Sequence, residues 1–225
     1  VNGLCKGKII RTLLKKDDCL PILLKWYDVN VRPFPWRQTN DPYKIWISEI
    51  MLQQTQVQTV IPYYNRWINK FPNIQSVANT NMDSLLKMWE GLGYYARVRN
   101  FNSACRIIMN KYSGKLPNST QLLLGLPGIG PYIAGAIMSI AFNHPVPAID
   151  SNAFRVISRL NAIGGPLLDR KKKAAKALCN LICYQRPGDF NQAIMDLGRE
   201  ICTSKNPECE ACPLTSYCLA AANNT

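Results

Sequence analysis

Apolar residues recur at the spacing of a helix along most of the chain. Val57, Val60, Ile61, Tyr64, Trp67, Ile68 and Phe71 return at three- and four-residue intervals, which predicts an amphipathic helix over this window. Pro62 within it predicts a kink, or a helix that starts just before the proline. No stretch alternates apolar and polar positions for long enough to read as a strand. Short punctuated links, Asn40-Asp41-Pro42, Leu116-Pro117-Asn118 and Pro187-Gly188-Asp189, fit turns between helices. The pattern therefore predicts an all-α chain. Its first helix should cover about Ile9 to Tyr27, with a loop rich in Pro and Arg following at Val31 to Arg37.

Composition adds a partner to this picture. The 225 residues allow one large core or two small ones, with 47 % apolar residues and no low-complexity tract. Lys and Arg number 27 against 14 Asp and Glu, a formal charge of +13. So large an imbalance points to a polyanion, nucleic acid first among them. No apolar run of about 18 residues exists, and the start, VNGLCKGKII, is too short of apolar residues for a signal peptide, so no membrane partner is expected. Val1 is not an initiator, and a preceding segment is expected.

Four of the nine cysteines, Cys202, Cys209, Cys212 and Cys218, crowd into one loop with the spacing Cys-x6-Cys-x2-Cys-x5-Cys. Four thiolates so placed suit an iron-sulfur cluster or zinc. Structural zinc sites usually pair ligands two to four residues apart, and here only Cys209 and Cys212 do so. Cys5, Cys19, Cys105, Cys179 and Cys183 are scattered, without the spacing of a disulfide framework, so a reducing intracellular compartment is expected.

Three segments carry candidate chemistry. LPGIGPYIAGAIMSIAF (Leu126 to Phe142) sets Gly128 and Gly130 in a tight turn before an apolar helix. Glycine permits positive φ there, and amides exposed at the helix N-terminus could grip one phosphate. A plain packing turn uses the same glycines. Further on, AIDSNAFRVISRL places Asp150 where an N-cap belongs. Glu49, between Trp46, Ile47, Ile50 and Met51, would ordinarily face solvent. If desolvated, its carboxyl would hold its proton more tightly and become a donor near neutral pH. His144, the single histidine, is expected in a loop without a catalytic role.

The hairpin turn resembles a helix-hairpin-helix motif. Together with the downstream Asp150 and the four-cysteine loop it resembles the endonuclease III superfamily of base-excision DNA glycosylases, whose cysteines hold a four-iron four-sulfur (4Fe-4S) cluster. The strings VRPFPWRQTNDPYKIWISEIMLQQTQV, GLGYYARVRN and FNQAIMDLG closely resemble adenine DNA glycosylases of the MutY type, over about Leu24 to Leu219. The resemblance implies a two-lobed fold, with a six-helix barrel and hairpin over 32–145 and a discontinuous cluster domain over 1–31 and 146–225.

It also implies roles. Glu49 would be the general acid and Asp150 the stabiliser of an oxocarbenium-like sugar, with Tyr132 and Asn152 beside them. Thymine-DNA glycosylases of related build lack the glutamate. Members that cut the backbone carry a lysine where this chain has Tyr132, so a monofunctional glycosylase is expected. Gln54 and Tyr94 would wedge beside the base opposite a flipped adenine. Arg32, Trp36 and Gln192 would line the adenine pocket, with Arg37, Leu52, Thr55, Gly128 and Gly130 among the DNA contacts. The implied partner of this expected monomer is duplex DNA with adenine opposite 8-oxoguanine or guanine. Asp150-Ser151-Asn152 stands where the family has Asp-Gly-Asn. The family continues into a C-terminal domain resembling the Nudix fold, so a catalytic fragment or a short natural form is expected. A lyase for damaged pyrimidines, or a cluster-bearing DNA-binding module without catalysis, are the alternatives.

Overall fold

The computed structural model describes residues 16–223, and every regular element among them is helical, as the periodicity predicts. In chain order these are α1 (Lys16–Asn30), a 3-10 turn (Pro35–Arg37), α2 (Pro42–Leu52), α3 (Val57–Lys70), α4 (Ile74–Ala78), α5 (Met82–Trp89), α6 (Ala96–Tyr112), α7 (Thr120–Leu124), α8 (Pro131–Ala136), α9 (Ser151–Leu160), α10 (Leu167–Leu181), α11 (Pro187–Glu200) and α12 (Leu219–Ala222). A π-helical turn, Ile137–Ala141, prolongs α8. No described helix is long and apolar enough to cross a membrane. The chain divides into two compact units, Pro33–Phe142, and Val1–Arg32 with Asn143–Thr225.

In the unit Pro33–Phe142, α2 is central. It packs against α3, α6 and α8, and Tyr43 together with Ile45 through Met51 is buried, so no face of its middle turns reaches water. Asp41 caps its start, accepting from the Tyr43 amide at 2.9 Å, and Pro42 takes the first helical position. The core is aromatic: Trp46 lies 4.3 Å from Phe101 between ring centroids, and Trp67 lies 5.5 Å from Trp89 and 6.1 Å from Phe101. In α3 the buried set is Val60, Tyr64 and Trp67, the centre of the stripe read from sequence. That helix begins at Val57, five residues before Pro62. The proline sits on the exposed face, and the buried stripe, not the proline, sets the start.

The other unit is built on α9, which packs against α10, α11 and α12, while α1 packs on α10 and α11. Leu23, Val156, Ile157, Leu178, Phe190, Ile194 and Leu197 form its core. Helix α1 runs on to Asn30, past Tyr27, and its expected start near Ile9 lies outside the described residues. Pro187-Gly188-Asp189 is not a turn. It is the first turn of α11, where a proline loses no helical donor and Asp189 meets the positive end of the helix.

Candidate active site

Glu49 does not face solvent. Its position on the enclosed stretch of α2 leaves it 6 % exposed. Its Oε2 accepts a hydrogen bond from the Tyr132 hydroxyl at 2.5 Å. Tyr132 stands in the first turn of α8, directly after the hairpin, so the turn chemistry of LPGIG delivers a phenol to a buried carboxyl. A bond at this distance fixes the carboxyl's orientation.

Within the hairpin the two glycines do different work. Gly128 has φ +77, and a Cβ there would sit 2.9 Å from Cβ of Asn100, so both conformation and space require glycine. Gly130 has φ −91 and caps α8 in extended backbone, which corrects the expectation of positive φ at both. A Cβ at Gly130 would meet nothing within 4 Å, leaving open room for a ligand against the backbone. Pro131 has no amide hydrogen, so donors at this end come from the residues around it.

Asp150 is the N-cap of α9, and it is more than that. One oxygen accepts from the Ala153 amide at 2.7 Å and the other from Asn152 Nδ2 at 2.8 Å. Burial raises its pKa above the ordinary aspartate value, against the opposing pull of these donors and of Arg155. Asn152 is held in turn by Arg155, whose Nη2 donates to Asn152 Oδ1 at 2.8 Å and to the Gly198 carbonyl at 2.6 Å. Arg155 Nε donates to the carbonyl of Cys202 at 2.7 Å. A continuous hydrogen-bonded path therefore joins the first cysteine of the loop to Asp150. Ser151 is exposed as the first residue of α9, so its side chain fits where the family has glycine.

The expected DNA-probing residues divide into exposed and occupied ones. Gln54 is exposed with φ 55, Tyr94 is 60 % exposed with φ 48, and Leu52 and Thr55 are half-buried beside Gln54. Non-glycine residues in this left-handed region are uncommon and cluster at functional sites. Trp36, expected to line the adenine pocket, is largely enclosed by other aromatic rings. It is 6 % exposed, stacked on Phe34 at 5.4 Å and edge-on to Tyr64 at 5.4 Å. Arg32 pairs with Glu200 at 2.7 Å, Arg37 lies over the Phe34 ring, and Gln192 bonds back to the Gly188 carbonyl. His144 is an exposed loop residue.

The described cysteines form no disulfide. Among the described residues no group of three or more His, Cys, Asp or Glu side chains is gathered tightly enough to hold a metal ion. The four loop thiols nevertheless sense one another. Burial pushes the Cys212 thiol up, and Cys202, Cys218 and Cys209 push it further in the same direction. Arg159 Nη1 points at Cys202 Sγ at 3.2 Å, and its guanidinium also donates to the carbonyls of Thr203 and Ser204. Four thiols in one short loop, with the Arg159 guanidinium beside Cys202, suit a multi-iron centre, whose irons take one thiolate each. Such a centre would be held by Cys202, Cys209, Cys212 and Cys218.

Sequence reasoning missed Arg97, Arg155, Arg159 and Gly198. Arg155 and Arg159 stand three and seven residues beyond Asn152 in the AIDSNAFRVISRL helix, so helical spacing alone places them on one face. Gly198, within the helical string MDLGRE, was readable as a close-approach glycine.

Comparison with known proteins places this geometry. Residues 47–182 match the model of the HhH-GPD superfamily of base excision DNA repair proteins, and residues 202–218 match the iron-sulfur binding domain of endonuclease III. Curated relatives named adenine DNA glycosylase include those of Arabidopsis thaliana (41 % identical, 88 % of this chain, 36 % of the relative), Buchnera aphidicola from Schizaphis graminum (43 %, 88 % and 58 %) and Homo sapiens (41 %, 88 % and 38 %). The chain thus spans between about a third and three-fifths of their length. Among solved structures, a thermostable thymine-DNA glycosylase superposes with TM-score 0.84 at 28 % identity, covering 92 % of this chain and 97 % of its own. Endonuclease III, in a non-covalent complex with DNA, shares the fold with TM-score 0.77 at 23 % identity, covering 94 % of this chain and 98 % of its own.

Proposed function

We propose that this chain, which belongs to the HhH-GPD superfamily of base excision DNA repair proteins, is the glycosylase portion of an adenine DNA glycosylase that removes adenine mispaired with 8-oxoguanine or guanine. The observation that carries this reading is the buried Glu49 carboxyl bonded to the Tyr132 hydroxyl. It supplies a protected proton donor, and it puts a phenol where a lyase would need an amine. The 41–43 % identity to relatives named adenine DNA glycosylase supports the choice of base.

The adenine must leave the stack before its bond can be reached. Protonated Glu49 gives its proton to the imidazole-ring nitrogen of adenine, so the base departs neutral as the bond from C1′ to N9 breaks with its electron pair. The sugar takes on oxocarbenium character, and ionised Asp150, oriented by Asn152 and the Ala153 amide, offsets that charge. Water adds to C1′ and its proton restores Glu49, leaving an abasic site and free adenine. A cluster held by Cys202, Cys209, Cys212 and Cys218 would brace the loop whose carbonyls Arg155 and Arg159 bind. Duplex DNA is the partner, gripped by phosphate contacts at the hairpin and by a +13 surface. Such an enzyme works in the compartment that holds the DNA.

The test is to incubate the protein with duplexes carrying adenine opposite 8-oxoguanine and to compare samples with and without alkali. Base loss with strand breakage only after alkali is expected. Breakage without alkali would mark a lyase, and no base loss would remove the enzymatic reading.

A further inference from the structure

Arg97 is placed against electrostatic preference. It is the second residue of α6, where the helix dipole disfavours a cation, and it is only 9 % exposed. Burial pulls its pKa downward. What holds it there is a set of backbone oxygens from two other segments. Nη1 donates to the carbonyls of Ile50 and Met51, both at 2.9 Å, and of Gln53 at 2.6 Å. Nη2 donates to the carbonyls of Leu92 at 2.9 Å and Gly93 at 3.2 Å, and to Thr55 Oγ1 at 3.3 Å.

The buried Nε has no partner, so these bonds fall on the two Nη groups alone, and two of the carbonyls matter beyond pairing them. Gln53 and Gly93 are the residues immediately before Gln54 and Tyr94, the exposed non-glycine residues with φ 55 and φ 48. The carbonyl that enters each strained residue is thus pinned by the same planar cation. Its central carbon also lies over two rings, 5.3 Å from the Trp89 centroid and 5.5 Å from the Tyr94 centroid. The ends of α2 and of the Gly91–Tyr94 turn, 40 residues apart in sequence, are locked to one group. Only a guanidinium has enough donors, in one plane, to do this; an ammonium would serve fewer carbonyls and neither ring face so well.

We infer that Arg97 is a positioning residue that sets Gln54 and Tyr94 as one rigid probe for the base opposite the target, by fixing the carbonyl before each. This rests on the proposed wedging role of those two residues.

The test uses the whole chain with Arg97→Lys and Arg97→Met, on a duplex with adenine opposite 8-oxoguanine and with 2-aminopurine beside the 8-oxoguanine as a stacking reporter. The single-turnover rate constant per active enzyme should fall on the order of 10²-fold. The 2-aminopurine rise on binding should be lost as well. In the native chain Gln54→Ala and Tyr94→Ala should be non-additive, and in Arg97→Lys they should become additive. A variant that lowers only the active fraction, with rate constant and fluorescence change as in the native chain, would make Arg97 merely structural and overturn the inference. If neither variant folds, hydrogen exchange in the native chain decides: the amides of Thr55 and Leu92, bonded to the Leu52 and Trp89 carbonyls, should open together, and independent opening would refute the coupling. If the native chain releases no adenine, the enzymatic reading fails while the fluorescence and exchange results still judge Arg97.

Discussion

Gly198 of α11 lies directly against Asn152 of α9: a Cβ built on Gly198 would stand 2.7 Å from the Asn152 Cβ and 3.1 Å from its Cα and carbonyl oxygen. Helix α11 can approach the turn that holds Asp150 only because this residue has no side chain. The same glycine offers its carbonyl to Arg155, which orients Asn152. Gly198→Ala must push the two helices apart at a buried contact made of backbone. A stability loss of about 1–3 kcal/mol is expected, and adenine release should fall more than stability explains because Asn152 moves. Gly130→Ala is the contrast, since its Cβ would meet nothing. It should melt close to the native protein and weaken binding to undamaged duplex. Thermal melts alongside binding and single-turnover assays check both.

Tyr132→Phe keeps the ring and removes the hydroxyl that meets Glu49. A hydrogen bond that orients a buried neutral carboxyl contributes about 0.5–1.5 kcal/mol, so excision should slow by roughly 2- to 13-fold. DNA affinity should hold within error, because the hairpin backbone is untouched. Affinity lost in parallel with rate would mean that Tyr132 braces the hairpin and not the acid.

Much of this arrangement was legible in the sequence, for identifiable reasons. Helical periodicity marks α3, the cysteine spacing marks the loop, and LPGIG marks a hairpin because tight turns need glycine at a few defined positions. Glu49 could be singled out, but not its burial. That depends on α2 being enclosed by α3, α6 and α8, and no one helix's own pattern records its neighbours. Pro187 read as a turn because proline at a helix's first position and proline in a link look alike locally. Arg97 escaped notice because its partners are backbone carbonyls, which every residue has.

Arg159 makes a prediction about the cysteine-held centre itself. Its Nη1 lies 3.2 Å from Cys202 Sγ, placing a permanent cation and a donor on one ligand. Both favour the more reduced, more negative state of a thiolate-bound cluster. Arg159→Met should leave the visible absorbance of the purified protein in place and shift the reduction potential to a more negative value, read by direct electrochemistry. Cys212→Ser should remove the absorbance. An unchanged potential would show that the Arg159 contact is lost once a cluster is bound.

Asp150 gives the pH dependence. Burial raises its folded pKa, while the Ala153 amide, Asn152 and Arg155 lower it. The ionised form is the one that stabilises the sugar cation, so activity must fall as pH drops through the folded pKa. The acid limb of the rate profile should therefore lie above the ordinary aspartate value of about 3.9. Arg155→Met, which removes a lowering influence, should move the limb further up. The same sign fixes stability. A raised folded pKa means the native state holds this proton more tightly than the unfolded chain does, so stability is greatest with the carboxyl protonated and declines as pH rises through the folded value. At neutral pH the native fold thus carries an ionised group it would prefer neutral. Asparagine caps a helix as well as aspartate does. Asp150→Asn should then melt at or above the native temperature at pH 7 while excision drops by about 10²- to 10³-fold. A variant that is both inactive and less stable at pH 7 would mean that Asp150 is chiefly the cap of α9, and that its charge does not serve the reaction.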